Sequence, residues 1–141
     1  MLLYAYPLLA VLAAAPAPAV EPEPFLLVES QNAADTTLDA LRIALAERSL
    51  KVLREHEESS EGTKRHTLYF CDFDILPRAV ALDPRAGDNM PCQITVTSTG
   101  ERVTLSARNP AFARHEHADT GHDPCAEART LLVELMEEAA R

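Results

Sequence analysis

The chain has 141 residues, 47% of them hydrophobic, with 13 Lys plus Arg against 22 Asp plus Glu and a formal net charge of -9. This length suits one domain that buries a core without metal or disulfide staples. The acidic balance repels phosphate backbones and supplies no basic stripe for counterion release, so nucleic acid and anionic membrane surfaces are excluded as expected partners.

Residues 1–19 hold no charged side chain, and the run Leu8 to Ala15 is too short to span a bilayer. With the small residues Ala17 and Ala19 behind it, this segment reads as a signal peptide cleaved after Ala19, which predicts a periplasmic or secreted protein. Its start lacks the usual Lys or Arg, and an uncleaved apolar anchor is the rival reading, the only one that brings a membrane into play. Residues 20–24 form a Pro/Glu linker, because Pro22 and Pro24 fix φ and push their neighbours out of helical space.

Beyond the linker, Phe25 to Ser30 has the length and composition of a strand. Leu38, Leu41 and Leu45, with Ala34 and Ala44 beside them, make the apolar stripe of a helix that Asp35 or Thr36 is placed to cap. Strands follow over Leu50 to Glu57 and Arg65 to Cys71, joined by the polar turn Glu58 to Gly62. In the second of these, His66, Leu68 and Phe70 share one face and Thr67, Tyr69 and Cys71 the other. Asp72 or Asp74 starts a short helix in which Pro77 is tolerated only within the first turn.

The alternation of Cys92, Ile94 and Val96 with polar neighbours, a turn at Thr99-Gly100, and the alternation of Val103, Leu105 and Ala107 predict a hairpin with one buried face. Residues 113–141 comprise a His-rich loop and a final helix. Asp123 caps that helix, Pro124 opens it, and Ala128, Leu131, Leu132, Leu135, Met136 and Ala139 form its apolar stripe. The order β-α-β-β-α-β-β-α predicts an α+β two-layer sandwich, with an antiparallel five-stranded sheet and helices packed on one face.

The segments Leu68 to Asp72, Ala79 to Pro84, Met90 to Val96 and Val103 to Pro110, with the helix at Thr37 to Leu45, resemble the domain of unknown function 302 family in order and spacing. The resemblance covers residues 25–112. Its most specific marks are the cysteine ending one strand, Cys71, and the Pro-Cys opening the next, Pro91-Cys92. Here Asp72 and Phe73 stand where many relatives have an Asn-Pro-like turn. The resemblance implies a small α+β domain, in some members a dimer, and no established activity.

Chemistry is sought first at the cysteines. Three in an exported chain leave one thiol over even if one disulfide forms. Strand alternation puts Cys71 and Cys92 on opposite faces, so a bridge between them needs a distortion of the strand end; small buried residues are the alternative. Cys71, Cys92, Tyr69 and Asp72 are the ligand or redox candidates. Cys125 falls at the second position of the last helix, where unpaired backbone N–H groups favour a thiolate while Asp123 and Glu127 oppose it. His115, His117, His122 and Cys125 are the metal candidates, since imidazole with thiolate suits Cu or Zn. Their spacing matches no closed structural zinc pattern, and a solvated loop is the alternative.

Phosphate-loop, nucleophile-elbow, H-E-x-x-H and C-x-x-C motifs do not occur. The expected function is therefore an exported accessory protein that binds a small molecule or transition metal without catalysing a reaction. A thiol protein using Cys71 and Cys92 for disulfide exchange or sulfur carriage is one alternative; a structural homodimer is another.

Overall fold

The computed structural model describes residues 23–82, 84–85, 92–112 and 123–141. Its elements in chain order are β1 (Phe25–Ser30), α1 (Ala34–Glu47), β2 (Val52–Ser60), β3 (Thr63–Phe70), α2 (Ile75–Leu82), β4 (Cys92–Thr99), β5 (Arg102–Arg108) and α3 (Pro124–Ala140). The strands form one sheet in the order β1-β5-β4-β3-β2, every pair antiparallel. The expected α+β architecture is the one observed.

Alternation decides which face is covered. Leu26, Leu68, Phe70, Ile94, Val96, Val103, Leu105 and Ala107 point to one side, where they pack with Leu38, Leu41, Leu45, Leu132, Leu135, Met136 and Ala139 of α1 and α3. Burying each large side chain contributes roughly 1.5–3 kcal/mol, so this shared core is the main stabilising feature. The apolar stripe of α3 thus belongs to the domain core. Ser30 and Thr37, both buried, share a hydroxyl–hydroxyl hydrogen bond of 2.7 Å that ties the end of β1 to α1. The opposite face of the sheet carries hydroxyls instead, paired across strands as Thr67 with Thr95 at 2.8 Å and Thr63 with Thr99 at 3.2 Å.

Three local departures from the sequence-based expectation have clear causes. The first hairpin does not turn over Glu58 to Gly62. Its strands run on to Ser60 and resume at Thr63, leaving a two-residue turn in which Glu61 and Gly62 both have positive φ (49° and 80°), the pattern that matches strand twist. The helix α1 starts from Ala33 without a side-chain cap; the Thr37 hydroxyl donates to the Ala33 carbonyl, and neither Asp35 nor Thr36 serves as cap. The strand β3 ends at Phe70, one residue before Cys71, so the alternation that assigned Cys71 to the Tyr69 face no longer applies to it.

Candidate functional site

In the register between β3 and β4, Phe70 lies opposite Cys92, and Cys71 is the next residue of the chain. The backbone leaves the strand there because Asp72 caps α2. Its Oδ1 accepts from the Asp74 N–H at 2.8 Å and the Ile75 N–H at 3.1 Å, and its carbonyl accepts from the Leu76 N–H. The turn sends Cys71 inward, where it is 5% exposed. Cys92 faces the core side of the sheet and packs against the main cluster.

Both thiols are held in the neutral form. Burial raises Cys71 above the ordinary thiol range, with the Asp72 carboxylate adding to it. Burial chiefly, with the nearby Cys71 and Asp72 adding to it, pushes Cys92 up to about 11. Cys71, one residue beyond the Phe70 that pairs with Cys92, is thus among the groups that raise the Cys92 thiol. None of the three cysteines is in a disulfide.

Tyr69 does not join them. It sits on the helix-free face, opposite Arg54, whose guanidinium carbon stacks 4.3 Å from the ring centroid. Asp72 is beside the thiols, but its Oδ1 is committed to the helix cap.

Cys125 is buried in the first turn of α3, its N–H donated to Asp123 Oδ1 at 3.0 Å. The start of α3 is fixed to α2 by a bidentate pair, Arg78 to Glu127, with both N–O distances 2.8 Å. Its other end meets the chain after β1, where the Gln31 N–H donates to the Ala140 carbonyl. A helix of 17 residues spans about 25 Å, comparable with the strands beneath it. Cys125 therefore starts α3 at the end of the sheet where Cys92 opens β4 and Cys71 leaves β3. His115, His117 and His122 lie outside the described residues. Among the described residues, no group of three or more His, Cys, Asp and Glu side chains is arranged to hold a metal ion.

Family comparison adds a frame to this geometry. The model for "Domain of unknown function DUF302" matches residues 27–139. The chain belongs to the DUF302 family. The matched span includes all three cysteines and extends through α3 almost to its end. A crystal structure of an uncharacterized conserved DUF302 protein from Bacillus stearothermophilus is similar, with a TM-score of 0.69 and 15% identity, over 85% of this chain and 100% of that one. At that identity the likeness speaks to the fold. No curated protein matches the chain.

A second polar cluster lies on the covered side of the β2–β3 hairpin. Arg42 of α1 contacts Glu55 at 3.0 Å, Glu55 contacts His66 Nε2 at 3.1 Å, Glu57 lies 3.7 Å from His66 Nδ1, and Lys64 pairs with Glu57 at 2.9 Å. The Arg42 hydrogen bond holds the Glu55 carboxyl below its usual range. In sequence His66 looks like any strand histidine; only the register, which sets Glu57 opposite it, exposes the cluster. A solvent-facing depression of about 250 Å³ near the hairpin tip is lined by Glu58, Ser60, Glu61, Thr63 and Arg65 and holds none of the candidate residues.

Proposed function

We propose that this protein binds a thiophilic metal ion such as Cu(I) through Cys71 and Cys92, as a non-catalytic accessory protein. One observation carries the reading: Cys71 directly follows the residue that pairs with Cys92 at the edge of the core, and both thiols are kept protonated by their surroundings. Thiolate sulfur selects soft metals, and a bound ion replaces the thiol protons, so metal entry relieves the unfavourable charging that burial imposes. The same surroundings disfavour the disulfide-exchange alternative. A thiol at about 11 has on the order of one part in 10,000 thiolate at pH 7, and exchange requires the thiolate. The uncharged N-terminal segment supports export, which would expose the site to an extracytoplasmic metal supply.

The test is anaerobic titration of the reduced full chain with Cu(I) against a chromophoric chelator. One ion per chain is expected, with affinity reduced at least 100-fold in both Cys71→Ser and Cys92→Ser. Absence of binding, or binding unchanged in both variants, overturns the proposal.

A further inference from the structure

The sheet is open, and its two edge strands, β1 and β2, differ in kind. An edge presents a row of backbone N–H and C=O groups, and proteins deter pairing there with charges and bulges. The edge β2 has both: the charged Arg54, Glu55, Glu57 and Glu58, and a register shift between Val52 and Arg54. The edge β1 runs in unbroken register with β5 from Phe25 to Ser30, and its single charge is Glu29. Backbone pairing decides which of its groups are left open. The Asn109 N–H donates to the Pro24 carbonyl at 2.9 Å, and pairs alternate from there, so Leu26, Val28 and Ser30 are the residues bonded to β5. Phe25, Leu27 and Glu29 therefore turn their N–H and C=O groups outward. The side chains of the same three residues lie on the helix-free face, where Phe25 is 53% and Leu27 66% exposed.

We infer that β1 is a docking edge for a different protein, which adds an extended, basic-ended segment to the sheet by backbone hydrogen bonding. This inference is independent of the metal site. The outward N–H and C=O groups of Phe25, Leu27 and Glu29, spaced about 6.6 Å apart, supply the hydrogen bonds. Phe25 and Leu27 supply an apolar strip for every second side chain of the incoming strand. Charge selects the partner. Glu23 precedes the strand and Glu29 lies near its end, about 20 Å apart in an extended chain, with Phe25 and Leu27 exposed between them. Arg102 of β5 lies 3.4 Å from Glu29, yet the Glu29 side chain remains 61% exposed and open to a second cation. The segment that fits is therefore about seven residues long, with alternating apolar side chains and a Lys or Arg at each end. A second copy of this chain brings the wrong charge, because its own β1 carries the same acids within a net charge of -9.

One added strand over two apolar anchors falls at the small end of specific interfaces, below about 1,200 Å². A dissociation constant on the order of 100 µM follows, since such an area leaves little surplus over the cost of association.

NMR titration of the isotope-labelled full chain with the synthetic peptide Lys-Thr-Val-Thr-Val-Thr-Lys tests this. The Phe25, Leu27 and Glu29 amides should shift and gain protection from hydrogen exchange. Replacing both terminal Lys of the peptide by Glu should weaken binding at least tenfold. Leu27→Pro should abolish it, because that change removes an outward N–H and leaves the bonds to β5 in place, which an edge strand tolerates. Leu27→Lys keeps every backbone group and sets a like charge against the peptide, so it should weaken binding at least tenfold even if the proline variant does not fold. Leu53→Lys, on the opposite edge and 48% exposed, should leave binding unchanged. Three results overturn the inference: no β1 amide shift at about 2 mM peptide, equal binding of the Glu-ended peptide, or β1 shifts that follow protein concentration without peptide, the mark of a second copy.

Discussion

Replacing Asp72 separates two roles that its position combines. One carboxylate oxygen accepts two backbone N–H groups at the start of α2, at 2.8 and 3.1 Å, and the negative charge contributes to the raised Cys71 and Cys92 thiols. Asp72→Ala removes both; Asp72→Asn keeps an acceptor and removes the charge. Loss of an N-cap costs about 1 kcal/mol, within a range of roughly 0.5–2. For a domain of this size that corresponds to about 4 °C in melting temperature. Thermal denaturation followed by circular dichroism should therefore show Asp72→Ala about 4 °C below wild type, with Asp72→Asn recovering most of the difference. Alkylation of the native thiols as a function of pH reads the other role. Both variants should shift the Cys71 and Cys92 profiles to lower pH, since removing a carboxylate eases thiolate formation. An Asp72→Ala melt equal to wild type would refute the capping argument. An Asp72→Asn profile equal to wild type would refute the electrostatic one.

Two further outcomes follow from the core and its buried thiols. Cys92 is raised from an ordinary 9.0 to about 11, so its protonated form stabilises the fold fully below pH 9 and that contribution is lost as pH rises through 11. Urea denaturation should show stability falling by up to about 3 kcal/mol across this interval, and Cys92→Ala should flatten the alkaline limb. Leu135 is fully buried between α3 and the sheet, and Leu135→Ala should cost about 3 kcal/mol in urea unfolding, whereas truncating the exposed Ile43 should cost only a few tenths.

The parts of the fold legible in sequence are those whose pattern reports burial directly. Ile94, Val96, Val103, Leu105 and Ala107 alternate because one face of β4 and β5 meets the helices and the other meets water, and the hairpin was evident from that alone. The same logic failed at the far end of the first hairpin. Every residue from Leu53 to Ser60 is exposed, so Glu58, Ser59 and Ser60 bear no imprint of being in a strand, and their charge reads as a turn. They are extended because β3 pairs with them residue by residue.

At the candidate site, the cysteines were visible but their relation was not. Period-two alternation is valid only while the backbone stays extended. Whether it does so at Cys71 depends on Asp72 accepting hydrogen bonds from residues beyond it, a choice that the spacing of Tyr69, Phe70 and Cys71 does not encode. Tyr69 shows the converse. Its parity was read correctly, and that parity carries it to the face away from Cys92, beneath Arg54. The cluster of Arg42, Glu55, His66 and Glu57 was missed for a related reason, since it joins a helix to two strands whose register only pairing fixes.

The most direct test of the central claim is the pH dependence of Cu(I) affinity in the reduced protein between pH 6 and 8. Both thiols are neutral across this range, so each bound ion should displace two protons and the apparent association constant should rise about 100-fold per pH unit. An affinity independent of pH would mean that Cys71 and Cys92 are not the ligands, and would contradict the account.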